Sequence, residues 1–344
     1  MASKDKGSLA EDRNPPCFSI ALSLLVIVLA AKAGGSIAVN VSQIYLTRRI
    51  MATLTDPQMA ICESALPTRG AGLDTAAAGE LPGMSVALAL NPRSGPVEIL
   101  LGREACLRRD WPEAERHFSV ATLAWPAHIS LQYALGNVLY LQGETDKAVM
   151  AWRSAGAEVK FVRKGMRSYA ERNFEQALNY FNLAIQVAPE YADAYRGRGL
   201  VLVHVMGQLS EGLADLEQAK RLGLAERFPF LNVEIAHVKV MLGDNPGALD
   251  LLESINPKPA FAWMLYGDIY LRQGELESAI AAYQASLQGG PDNLFAYWGL
   301  GRTYWQMGQF LLACAQWQEA LARDPQFGLA QEALQAAQRQ GICP

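Results

Sequence analysis

Charge is scarce in this chain, and histidine scarcer still. Only 19% of its 344 residues are Asp, Glu, Lys or Arg, and 30 basic side chains against 34 acidic ones leave a net charge of -4. A nucleic-acid binder concentrates excess positive charge on one face, so this balance argues against nucleic acid as a partner. The four histidines, His117, His128, His204 and His237, fall in no HExxH arrangement, which argues against catalytic zinc. The five cysteines are scattered without a CxxC pair, so neither structural zinc nor a disulfide-stapled scaffold is expected. Cys106 and Cys314 read as small buried residues, and Cys62 and Cys343 can pair if the chain is exported. No GxGxxG, GxxxxGK[ST] or GxSxG run occurs, and the carboxylates form no fixed pair. The expectation is a protein without catalytic residues, metal or cofactor. His204 and His237, with Asp268 nearby, come nearest to an acid–base cluster and read as polar groove contacts.

What the chain does contain begins with an apolar segment. Residues 1–17 form a polar tail closing on Pro15-Pro16. Residues 18–31 carry no charge, and a helix running on through Lys32 to Val41 would be about 36 Å long, enough to cross a bilayer. The expectation is a single membrane-spanning helix over residues 18–41, a signal anchor that makes the lipid bilayer a partner and leaves the large C-terminal part on the extracytoplasmic side. Two alternatives stay open. The small residues Ala31 and Ala33 before Gly34-Gly35 fit a cleavable signal peptide, which would release a secreted or periplasmic protein after cleavage near Ala33. A buried or interfacial soluble helix is the other. Residues 42–94, rich in Gly, Ala and Pro beyond Pro67, read as a linker with short helices.

From residue 95 the sequence repeats itself. Trp263, Gly267, Tyr270, Gly274, Ala279, Tyr283 and Pro291 recur at the same spacing as Tyr297, Gly301, Tyr304, Gly308, Ala313, Trp317 and Pro325. Earlier stretches keep the register with Gly102, Ala114 and Phe118, then Gly136, Ala148 and Trp152, then Gly165, Ala177 and Phe181, and more weakly near Gly199 and Ala248. This pattern resembles the tetratricopeptide repeat (TPR) family, whose unit is a pair of antiparallel helices of about 34 residues. Unit starts at 95, 129, 158, 192, 229, 260 and 294 give seven units over residues 95–327. The short step between the second and third predicts an abrupt link after the helix carrying Trp152. Residues 328–344 read as a capping helix and tail.

The fold class expected is therefore all-α, a TPR superhelix (α-solenoid) behind one N-terminal transmembrane or signal-anchor helix. Small residues at the repeated glycine positions should let paired helices approach closely, since a helical glycine otherwise costs about 1 kcal/mol. The resemblance implies ligand contact along the first helix of each pair. Carried onto this chain, that groove comprises Tyr133, Asn137, Tyr140, Tyr169, Arg196, His237, Phe261, Met264, Asp268, Trp298, Arg302 and Trp305, with Met166, His204, Phe230 and Arg272 beside them. So aromatic a groove suits an apolar segment of a protein or peptide, with Trp298 and Trp305 as anchors unless Trp305 is wedged against the capping helix. The function expected is a membrane-anchored protein–protein interaction scaffold, an accessory or assembly subunit of a membrane complex.

Overall fold

The computed structural model describes residues 95–343. The expected tail, membrane-spanning helix and linker over residues 1–94 lie outside the described residues, as does Cys62. Among the described residues no helix is long and apolar enough to cross a membrane.

The described chain is helical throughout and falls into two compact units divided after Ala157. The first contains α1 (Gly95–Leu107), α2 (Trp111–Ala124), α3 (Ile129–Leu141) and α4 (Thr145–Ser154). The reasons for these limits are local. The Asp110 side chain accepts from the Glu113 backbone N–H at 3.2 Å, with Pro112 in the first turn, so α2 starts on a capped end with no wasted donor. Gly143 turns the chain from α3 to α4 at φ +86°, a conformation an L side chain resists. Ile99, Phe118, Leu131 and Val138 fill the core, joined by a buried His117–Glu98 contact of 2.5 Å.

The second unit contains α5 (Ala157–Ala170), α6 (Phe174–Val187), α7 (Ala192–His204), α8 (Leu209–Arg221), α9 (Leu224–Arg227), α10 (Phe230–Leu242), α11 (Asn245–Glu253), α12 (Ala260–Gln273), α13 (Leu276–Gly289), α14 (Leu294–Gln306), α15 (Phe310–Arg323) and α16 (Gly328–Arg339). First helices pack on the second helices that follow them, as α7 does on α8, α12 on α13 and α14 on α15. The extra residues after α8 make the one-turn helix α9, whose Leu224 is buried. Consecutive first helices α10, α12 and α14 lie side by side and so present one shared face.

One contact repeats inside the hairpins. A Cβ built on Gly102 would lie 2.6 Å from Phe118, on Gly136 2.4 Å from Trp152, on Gly165 2.7 Å from Phe181, on Gly267 2.6 Å from Tyr283, and on Gly301 2.2 Å from Trp317. Each ring sits sixteen residues after its glycine and fills the space a side chain would have taken. Burying a large ring stabilises by about 1.5–3 kcal/mol, more than the propensity lost at glycine, so the exchange favours the hairpin.

The cysteines depart from expectation. Cys314 on α15 is bonded to Cys343, beyond the end of α16, with Cα atoms 5.8 Å apart, and both are buried. The anticipated partner of Cys343 was Cys62. The short return of the chain after α16 brings residue 343 back onto α15, a juxtaposition that a separation of 29 residues in sequence does not advertise.

Candidate binding face

The face of the first helices in the second unit is built around fixed polar and aromatic groups. On α7, Arg196 donates twice to Glu234 of α10, at 2.8 and 2.6 Å, and its guanidinium lies 4.4 Å from the Phe228 ring centre. Both partners are largely buried, so the pair ties adjacent helices together. Further along, the rings of His204 and His237 stack at 6.0 Å, His237 meets Phe261 edge-on at 5.3 Å, and Phe261 meets Phe230 at 6.3 Å. Phe230 stays 39% exposed, which makes it the open end of this cluster. Burial, and then the neighbouring His204, pulls His237 down to about 4, so it is neutral near pH 7.

On α12, Asp268 does not approach His237 chemically as anticipated. Its carboxylate accepts from the Tyr283 hydroxyl at 2.6 Å, inside the α12–α13 hairpin. Burial raises Asp268 above the usual carboxylate range, against the opposing pull of Tyr283, Arg302 and Arg272. Arg272 donates to the Val240 carbonyl at 2.5 Å, stitching α12 to α10. On α14, the Arg302 guanidinium covers the Trp298 ring at 4.6 Å, with Trp298 half-buried and Arg302 exposed.

Trp305 packs against Phe310 at 4.7 Å and Trp317 at 5.6 Å, in a cluster that includes Ala330 and Ala337 of α16. It is thus held by the second and capping helices and is only partly open. Beside it lies a cavity of about 440 Å³, lined by Arg302, Trp305 and Gln306 of α14, Trp317 of α15, and Ala333 and Ala337 of α16.

Three of the expected groove residues are interior. Tyr133 is 5% exposed, Asn137 0% and Met264 4%, so none presents a surface to a partner. The reason for Asn137 is specific: its side-chain oxygen accepts from the Trp152 indole N–H at 2.9 Å, within the hairpin core. Met264 belongs to the core shared by α10, α12 and α13. Tyr140 is half-buried with its ring 5.3 Å from Trp152, and Tyr169 meets Phe174 edge-on at 5.7 Å. Met166 remains exposed on α5.

The structure adds groups that the sequence reading missed. Glu234, Phe228 and Trp317 complete contacts whose other halves were anticipated. A signal existed inside two hairpins: an acceptor residue directly after a packing glycine lies fifteen positions before the aromatic that donates to it, as in Asn137–Trp152 and Asp268–Tyr283.

Comparison with known proteins places this arrangement. Family models described as tetratricopeptide repeat match residues 99–156 and 162–223, and again 296–327, and a model described as TPR repeat matches 267–308. The chain is 26% identical over 133 residues to tetratricopeptide repeat protein 6 of Homo sapiens; that match covers 38% of this chain and only 25% of the human protein's length. Among solved structures it is similar to YrrB, a TPR protein with an unusual peptide-binding site, at 21% identity and a TM-score of 0.36, covering 63% of this chain and 96% of that one. It is also similar to a tetratricopeptide repeat protein from Parabacteroides merdae, at 18% identity and a TM-score of 0.44, covering 70% and 97%.

Proposed function

Because this chain belongs to the tetratricopeptide repeat family, we propose that it is a protein-binding scaffold whose partner lies along the first helices of the second unit. The observation that carries the reading is the row of partly open rings from Phe230 and Phe261 to Trp298 on helices that stand side by side, with Arg302 at its edge. Aromatic anchors next to a cation suit an apolar protein segment with an acidic or polar flank. No chemistry beyond recognition is assigned to it.

The finer reading is that residues 18–41 hold this scaffold at a membrane, where it serves as an accessory or assembly subunit of a membrane complex. The uncharged run from Phe18 to Ala31 supports the anchor. The Cys314–Cys343 disulfide supports an oxidising, extracytoplasmic location for the repeats. The small residues at Ala31 and Ala33 favour release by cleavage as the second reading. The mass of the purified protein separates the two, since cleavage removes the first 33 residues.

Photo-crosslinking in cells tests the binding face. A photoreactive phenylalanine at position 230 or 298 should yield the same partner adduct, while one at Leu311, 71% exposed on a second helix, should not. Adducts from position 311 with none from 230 or 298 would put the partner on the other side. Alkaline carbonate extraction tests the anchor, which requires the protein to stay in the membrane pellet.

A further inference from the structure

α1 opens the described chain, yet it is buried on every side. Successive residues of a helix are turned by about 100°, so Val97, Glu98, Ile99 and Leu100 point all round its axis, and they are only 1%, 5%, 0% and 2% exposed. The described residues account for part of this burial. α2 packs closely on α1, Ile99, Ala105 and Cys106 belong to the core shared with α2 and α3, and Glu98 meets His117. Val97, Leu100 and Arg103, at three-residue steps along one side, lie outside that core and are still no more than 6% exposed. The two ends of a repeat array must each be covered or polar on the outside. At the C-terminal end α16 is polar outside, with Glu332, Gln335 and Arg339 exposed. Val97 and Leu100 are apolar, so this end is of the covered kind.

A cysteine on the same helix points to what covers it. Cys106, 1% exposed, is disulfide-bonded. Of the five cysteines, Cys314 and Cys343 are bonded to each other, which leaves Cys17 or Cys62 as the partner of Cys106. Both readings of the N-terminus exclude Cys17. With residues 18–41 across the bilayer it lies on the opposite side from the repeats, and with cleavage near Ala33 it is removed. Cys62 remains, in a stretch over residues 57–66 whose Met59, Ile61, Ala65 and Leu66 are apolar.

We propose that Cys62 is bonded to Cys106 and that residues 57–66 cover the Val97–Leu100 side of α1, closing this end of the array as α16 and the Cys314–Cys343 bond close the other. The choice of Cys62 rests on the extracytoplasmic reading of the repeats. Forming the bond oxidises two thiols to one disulfide, and the two electrons and two protons pass by thiol–disulfide exchange to a protein disulfide of that compartment, which becomes a dithiol. The bond also shortens the tether to the membrane. From Val41 the chain runs about 21 residues to Cys62 instead of about 54 to Gly95, a reach of at most ~75 Å in place of ~190 Å, so the first unit is held near the bilayer.

The test takes the protein as its own cells make it, alkylates free thiols, digests with trypsin without reduction and identifies linked peptides by mass spectrometry. Residues 50–69, which carry Cys62, should be found joined to residues 104–108, which carry Cys106. A link from residues 14–32, which carry Cys17, to 104–108 would overturn the proposal together with the extracytoplasmic reading. Alkylated Cys106 beside an intact Cys314–Cys343 link would overturn the proposal alone, since the second bond would still record an oxidising compartment. Hydrogen exchange tests the cover separately. In Cys62→Ser the amides of α1 should exchange about tenfold faster or more, because the bond no longer closes its loop of about 44 residues, while those of α14 and α15 keep their rates. Unchanged exchange in α1 would show that residues 57–66 are not its cover.

Discussion

Replacing Trp152 and Trp317 in turn by phenylalanine should give unequal results, although the two rings occupy matching places. Each is buried against a helix glycine, at 0% and 4% exposure, and each substitution removes the same part of the ring, so the packing loss is similar at the two sites. The hydrogen-bond terms have opposite sign. Trp152→Phe deprives the Asn137 oxygen of its donor at 2.9 Å, and the Asn137 amide nitrogen already lacks a partner among the described residues. Stranding a buried polar group costs about 1–3 kcal/mol. Trp317→Phe instead deletes a buried donor without a partner among the described residues and recovers up to a similar amount. The difference between the variants should therefore be at least about 1 kcal/mol, with Trp152→Phe the more damaging. Helical repeat arrays open in pieces, so native-state hydrogen exchange read separately on the amides of α3–α4 and of α14–α15 is the appropriate assay. Equal losses in the two hairpins would refute the reasoning, because they would mean that the Trp317 N–H is as well satisfied as that of Trp152.

Gly267→Leu should destabilise the α12–α13 hairpin by more than about 3 kcal/mol, because Tyr283 leaves no room at 2.6 Å, whereas Gly207→Ala, in open space at φ +65°, should cost about 1 kcal/mol; denaturant melts of both variants check the ranking. His237 has a folded pKa of about 4, below its unfolded value near 6.5, so its contribution is full above pH 6.5 and is lost as pH falls toward 4. Acidifying from pH 7 to 5 should then cost about 2 kcal/mol, and His237→Gln should flatten that slope in melts taken across the range. Replacing Cys314 and Cys343 by serine opens a loop of 29 residues and should cost about 3–4 kcal/mol on the chain-entropy account, with faster hydrogen exchange in α16 as the sign; unchanged exchange there would remove the disulfide as its fastening.

The hairpin core was legible because glycine, alanine and aromatic recur at a fixed spacing, and a period needs no knowledge of which neighbours meet. The binding face was less so. Adjacent residues on a helix are turned by about 100°, so a one-position difference moves a side chain from an open face into a hairpin. Asn137 follows Gly136 directly and is drawn inside by the Trp152 indole, whereas Arg302, at the matching position after Gly301, is charged and stays outside. Met264 illustrates the same difficulty between first helices: flexible and apolar, it fills the gap beside α10 rather than standing on the surface. The Cys314–Cys343 bond was illegible for another reason, since it depends on how the chain turns after α16 and no periodic signal extends there.

The sixteen-residue span from glycine to ring also bears on how such a chain can change over generations. A larger residue at Gly267 collides with Tyr283, and a smaller one at Tyr283 leaves a void, so neither member of the pair can drift until the other has moved. An insertion between them would rotate the ring away from its seat by about 100°. No such lock governs the stretches that join one hairpin to the next: only Ala155 and Gly156 separate α4 from α5, yet the stretch between α8 and α10 accommodates the whole of α9. Length variation in this protein is therefore channelled into the joints, where a lineage can lengthen or trim the chain while each hairpin passes on intact.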